Sequence, residues 1–343
     1  MKGVGTALLL FVQVLSVARP AAAEQGIRIG YFPNITHAQP IVGLRKGFFQ
    51  TALGPAVKIT TRLFNAGPSE IEALFAGEID LGYIGPNPAI NGFIKSRRKA
   101  LRIIAGATSG GAVFVVCKEA GIEKVEDLAG KKIASPQIGN TQDVALRSYL
   151  QENGLALKEK GGTVEVIPLA NPDILTLFLK KEIDGAWVPE PWGARLLKEA
   201  DGRLFLDERE RWPGGRFITA QVIASTAFLT DHPELVRRWL DAHIETTQWI
   251  NAHLAEAKTI LNEGIAALTS KALAPDVLND AFSRLEVTYD PVGSSLQKSA
   301  DDAYTLGFLR DKNLDGIYDL TLLNEVLAAK GLEPVQVAVP NKR

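Results

Sequence analysis

Residues 80–91, DLGYIGPNPAIN, decide the fold. Residues 79–84 are β-branched and aromatic enough for a strand. Gly85 and Pro86 end it, because proline brings no N–H to a sheet ladder. Asn87 suits the N-cap of a following helix, and Pro88 its first position. A strand that hands over to a helix leaves unpaired backbone N–H groups aimed at the crevice above the sheet, a natural anion site.

The stretch recurs. Moved 104 positions along the chain without a gap, GPSEIEALFAGEIDLGYIGPNP (67–88) falls on NPDILTLFLKKEIDGAWVPEPW (171–192). Pro68 falls on Pro172, Glu78-Ile79-Asp80 on Glu182-Ile183-Asp184, and Tyr83 on Trp187. The same shift brings 27–37 near 131–141, and 58–64 within about a residue of 163–169. Triplet, helix start and strand in one register predict two related α/β units facing one another, with a ligand between them.

The rest of the chain fits that frame. Strands are expected at 27–31, 57–64, 101–105 and 112–118, with helices between them opened by Thr36 and Pro68 and stopped by Gly47 and Gly77. This βαβαβ rhythm implies a mostly parallel sheet covered on both faces. A second such run follows from 125, where Asn140 is placed to cap a helix with Asp143 as its reciprocal partner. The β-rich runs 112–118 and 217–225 are taken as the two crossings between lobes. Beyond residue 231 the pattern is nearly all helical.

Composition narrows the function. A chain of 343 residues suggests two domains, and a formal charge of −1 gives no pull toward nucleic acid or anionic membrane. Residues 1–23 read as a secretory signal: Lys2, an apolar run from Val4 to Val17, and Ala21-Ala22-Ala23 as the cleavage site. No cysteine follows, so no lipid anchor is expected, and the mature chain, near −3, is expected free in a periplasm. The lone Cys117 reads as a small buried hydrophobe. No P-loop, nucleophile elbow or dinucleotide fingerprint is present, and four scattered histidines give no zinc spacing. The run 311–316 copies half an EF-hand loop but has Leu322 where the bidentate glutamate belongs, so a solvated turn is expected. Neither metal, cofactor nor catalytic residue is expected.

Five stretches carry a family likeness: IRIGYFPNITHA (27–38), the run 64–90, VEDLAGKKIASPQIGNT (125–141), DGAWVPEPW (184–192) and the run 287–309. In order and spacing the chain resembles the substrate-binding proteins of nitrate/sulfonate/taurine-type ABC importers. The resemblance implies a type II periplasmic-binding fold, two doubly wound α/β lobes joined by two hinge strands. Lobe 1 would be 24–112 with 226–343, and lobe 2 113–225, with the C-terminal helices packed mainly on lobe 1. It also implies a monomer that closes on a small oxyanion or zwitterion and docks on an ABC permease and its ATPase at the inner membrane. Two alternatives stay open. One is a sensor subunit that reports lobe closure. The other is an enzyme related to the pyrimidine-precursor synthases, which share this architecture but use cysteine and histidine clusters.

In this reading, loops at the carboxyl ends of the strands hold the ligand. Lobe 1 offers Asn34, Thr36, His37, Asn87, Ser109 and Gly110; lobe 2 offers Gly139, Asn140, Thr141, Gln142, Glu190 and Trp192. Small amides and hydroxyls at helix starts suit an oxyanion held without a formal cation. Tyr31, Phe32, Trp187 and Trp192 are available as apolar walls, although Trp187 within a strand reads as core. Glu190 is awkward: a carboxylate beside an anion costs affinity unless donors tie it up or it meets the amine of a zwitterion such as taurine. Arg216 is the cation candidate nearest the expected hinge.

Overall fold

The computed structural model describes residues 25–337, so the expected signal segment lies outside the described residues. The first α/β run is β1 (Gln25–Tyr31), α1 (Ala38–Lys46), α2 (Phe48–Leu53), β2 (Val57–Leu63), α3 (Gly67–Phe75), β3 (Leu81–Ile84), α4 (Pro86–Lys95) and β4 (Leu101–Gly110). The second is β5 (Ala112–Cys117), β6 (Lys132–Pro136), α5 (Thr141–Glu152), β7 (Glu165–Leu169), α6 (Asn171–Leu179), β8 (Gly185–Pro189), α7 (Trp192–Glu199) and β9 (Gly202–Asp207). Then come β10 (Ile218–Ser225), α8 (Thr226–Asp231), α9 (Pro233–Ala252), α10 (Leu254–Thr269), α11 (Pro275–Phe282), β11 (Leu285–Val287), α12 (Gly293–Thr305) and α13 (Thr321–Ala329).

Among the described residues the strands form two sheets, ordered β11-β4-β10-β3-β1-β2 and β7-β6-β8-β5-β9. Helices cover both faces of each. One face of the larger sheet packs on α1, α2 and α9, the other on α3, α4 and α12. The C-terminal helices sit mostly on this first lobe, but α11 also packs on α7 and α12 on α5 of the second. Among the described residues no helix is long and apolar enough to cross a membrane.

The structure repeats in the register that the sequence announces. Helices α3 and α6 begin and end 104 positions apart, and Ile29–Leu81 and Gly30–Gly82 pairing recurs as Ile133–Gly185 and Ala134–Ala186. Asp80 accepts the backbone N–H of Arg28 at 2.8 Å, and Asp184 accepts that of Lys132 at 2.8 Å. The recurring EID triplet therefore owes its aspartates to one job, stitching the start of one strand to its neighbour.

The crossings differ from the sequence expectation. Residues 112–118 and 217–225 were expected to bridge the lobes, with 113–225 forming lobe 2. Instead β5 belongs wholly to the second sheet, and β10 lies between β3 and β4 in the first. Each is the antiparallel strand that follows a crossing, so its β-rich sequence reflects pairing on both sides rather than a free connector. The chain changes lobe at Gly110-Gly111, whose φ values of 73° and 77° suit glycine, and again within 208–217. Lobe 2 thus ends before β10.

The repeat also exposes a substitution inside lobe 1. Ile174 on α6 is buried against β6 and β8; the same position on α3 is Glu70, fully buried, with neither carboxyl oxygen bonded. Gly30 and Gly82 stand where the second lobe has Ala134 and Ala186, and a Cβ at either would run into the Glu70 carboxyl. Burial raises the Glu70 pKa well above its ordinary 4.5, so the folded chain keeps a proton that the unfolded chain releases. Its contribution to stability is full below that ordinary value and is lost as pH rises toward the raised one, by at most about 1.4 kcal/mol per pH unit. Glu70→Gln is expected to remove this loss. Urea midpoints compared at acid and alkaline pH check it; an unchanged gap between variant and wild type would mean that Glu70 is ionised in the fold.

Candidate functional site

The carboxyl ends of both sheets meet at one small cavity. Phe32, Asn34, Thr36 and His37 from the loop after β1, Asn65 after β2, Gly85 after β3 and Thr219 on β10 line it from lobe 1. Asn140, Gln142, Asn171 and Pro189 line it from lobe 2. The cavity holds about 20 Å³, room for roughly one water. No lining side chain carries a formal charge. The lobes are therefore closed on each other, and a larger solute enters only when they part.

His37 is fully buried and its ring stacks on Phe32, 4.4 Å between centroids. The Phe32 backbone N–H donates to His37 Nδ1 at 3.2 Å, which leaves the ring proton on Nε2. Burial lowers the His37 pKa to about 3, so the imidazole is a neutral donor at neutral pH. Thr36 turns its carbonyl to the Thr108 hydroxyl at 2.7 Å, which fixes this loop on β4. Thr36 does not cap α1; that position falls to His37.

Across the cleft, Asn140 occupies the N-cap of α5 without a side-chain capping bond. Asp143, expected as its reciprocal partner, instead accepts from Ser135 Oγ at 2.7 Å, Gly139 N at 2.8 Å and Arg147 Nε at 3.0 Å. It props the 137–140 loop from behind, and so Asn140 remains among the residues lining the cavity. Asn87 is likewise not a cap. Helix α4 starts at Pro86 with Gly85 as N-cap, and Asn87 Nδ2 donates to the Ser299 carbonyl at 3.0 Å. Asn87 and Thr141 line a neighbouring void of about 10 Å³, and Thr141 Oγ1 is buried without a partner.

The remaining candidates take other roles. Ser109 and Gly110 lie at the end of β4, where Gly110 accepts the Thr219 hydroxyl at 2.5 Å and donates its N–H to the Phe217 carbonyl, so both belong to the crossing. Gly139 supplies a left-handed turn, φ 73°, and its N–H goes to Asp143. Trp192 donates from Nε1 to Asn34 Oδ1 at 3.0 Å, a direct bond between lobes, with the Arg195 guanidinium 4.8 Å over its ring. Trp187 is core, bonded to Glu208 at 2.7 Å. Arg216 is half exposed and paired with Glu286 and Asp290 at 3.5 Å, away from the cavity lining.

Glu190 is answered by its surroundings. It is fully buried, accepts from Arg284 Nη1 at 2.9 Å and from the Ala194 backbone N–H at 2.9 Å, and does not line the cavity. Arg284 sits between α11 and β11 on lobe 1, so the pair clasps the lobes beside the first crossing. Burial pushes the Glu190 carboxyl up to about 7, with Arg284 pulling the other way.

The sequence reading passed over Asn65, Asn171 and Thr219. Asn65 follows a strand and Asn171 opens a helix, so the rule that strand ends carry ligand covered both. Asn171 Oδ1 is buried and unpartnered, one more group free for a solute.

Comparison with known proteins gives the family and the fold. Residues 21–263 match the NMT1-like family, more than half of the chain. The chain belongs to the NMT1-like family. Among relatives of this NMT1-like chain, a binding protein of Brucella abortus (strain 2308) is 27% identical over 74% of this chain and 73% of its own length. The taurine-binding periplasmic protein of Escherichia coli K12 is 29% identical over 54% of this chain and 56% of its own. The alkanesulfonate-binding protein SsuA from Xanthomonas axonopodis pv. citri, solved with MOPS bound, superposes with a TM-score of 0.71 at 22% identity, covering 86% of this chain and 97% of that one. These relatives are binding proteins, not enzymes, and the periplasmic-binding fold is shared.

Proposed function

We propose that the chain is the solute-binding component of an ABC-type importer, working as a monomer in the periplasm and handing its ligand to a membrane permease. We further propose a small oxyanion of the alkanesulfonate class as that ligand. The observation that carries this is the cavity between the lobes, lined by carboxamides, hydroxyls and a neutral imidazole with no charged side chain. Sulfonate oxygens accept hydrogen bonds only, and neutral N–H and O–H donors satisfy them without the desolvation cost of a buried cation. The donors are His37 Nε2–H and the Asn140, Gln142 and Asn171 amides, with the Thr141 hydroxyl and the Asn34 loop at the margin. Because they come from both lobes, a solute held between them favours lobe closure, at a wider separation than the one that leaves about 20 Å³. The relatives named for taurine and alkanesulfonate support the class.

Taurine is the less favoured member. Its ammonium would need a carboxylate, and Glu190 is already engaged by Arg284. Calorimetric titration of the chain from Glu24 onward tests the reading with ethanesulfonate, taurine and nitrate. Ethanesulfonate is expected to bind more tightly than taurine, with Kd moving less than about 3-fold between low and high salt, since no charge pair is screened. Tighter binding of taurine, lost in Glu190→Gln, would reverse the assignment; silence with all three would remove the ligand class.

A further inference from the structure

Away from the cleft, a cavity of about 660 Å³ runs between the end of α4 and residues 308–311. Its floor is apolar, with Ile94, Phe308 and Leu309. Its rim is basic, with Lys95, Arg97, Arg98 and Arg310 against one acid, Asp311, which Arg98 takes at 2.5 Å. Lys95, Arg97 and Arg310 pair with no carboxylate among the described residues. On a chain whose mature charge is near −3, this local excess runs against the whole.

The backbone under the rim is costly. Helix α4 closes with the Arg98 N–H on the Phe93 carbonyl at 2.7 Å and the Arg97 N–H on Ile94 at 3.0 Å, the pattern in which glycine normally takes the left-handed position. Here Arg97 and Arg98 both have positive φ, 55° and 66°. A left-handed residue other than glycine costs on the order of 1 kcal/mol, so two arginines are held where glycine would fold more easily.

We propose that this groove docks an acidic, extended segment of a protein partner. Charge complementarity names the acidic chemistry, and the concave apolar floor fits a peptide with side chains to bury rather than a flat headgroup surface. All of the residues that line the groove belong to lobe 1. The Phe308 ring is 5.9 Å from the Arg147 guanidinium of lobe 2, and Lys298 on α12 reaches Glu152 at 3.3 Å.

The test is fluorescence anisotropy of a short fluorescein-labelled poly-glutamate peptide with the full mature chain. The expected result is saturable binding that weakens with salt and falls at least about 10-fold in Arg97→Glu/Arg310→Glu, but not in Lys180→Glu/Lys198→Glu, which reverses two exposed charges on lobe 2. Thermal melts confirm that both variants are folded. Equal loss in the two variants would reduce the effect to diffuse charge and overturn the proposal. Phosphatidylglycerol vesicles are the second arm. Vesicle binding that depends on Arg97 and Arg310, without peptide binding, would also overturn it and assign the surface to lipid.

Discussion

Arg284→Met is expected to cost about 3–5 kcal/mol of folding stability, because it strands the fully buried Glu190 carboxylate without its counter-ion. The Ala194 N–H remains as a donor, but one neutral donor does not replace a guanidinium. The loss depends on pH. The Glu190 pKa is already raised to about 7 by burial, and removing Arg284 raises it further. In acid the carboxyl is neutral and needs no partner, so the variant suffers least there; above pH 7 it must either ionise unpaired or hold its proton against the solvent, and the loss is largest. Urea denaturation on both sides of neutrality measures this directly. Glu190→Gln/Arg284→Met keeps an acceptor for Ala194 and is expected to recover most of the loss at high pH. A loss independent of pH, or a double variant as weak as the single one, would show that Arg284 acts through packing alone.

The clasp also marks the limit of what the chain discloses in one dimension. Strand, turn and helix at residues 80–91, and their echo after 104 positions, are local patterns, and local patterns set the register of both sheets. Helix starts were less legible. Asn87 and Asp143 are both placed to cap, yet one ties α4 to α12 and the other props a loop, because tertiary partners outcompete a single capping bond. The β-rich run 217–225 looked like a crossing because sequence does not show which strands flank it. Glu190 was ambiguous for the same reason, its partner lying 94 positions away. The polar loops after β1 and β6 were legible as lining the cavity, since strand ends in this fold face the crevice; Asn65 and Asn171 lay on the same ends but without a motif to draw attention.

Closure itself is open to a direct trial at Gly85, which sits at the end of β3 where lobe 1 meets Thr141 of lobe 2. Its φ of −71° and ψ of 160° are available to any residue, so its lack of a side chain is not a backbone requirement. What it requires is space: a Cβ there would run into Thr141 Oγ1, with the Thr219 carbonyl and Thr141 Cβ next in line. Alanine leaves the threonine room to rotate away; valine, with two further methyls, does not. Gly85→Val is therefore expected to penalise the closed state by about 1–3 kcal/mol while leaving each separated lobe intact. A ligand that binds by closing the lobes loses that amount, about 5- to 150-fold in Kd, with little change in urea midpoint. Small-angle scattering should show the variant remaining extended at ligand concentrations that compact the wild type. Affinity retained in Gly85→Val would mean that ligand is held by one lobe. A fall in stability matching the fall in affinity would mean that the contact belongs to the fold rather than to closure.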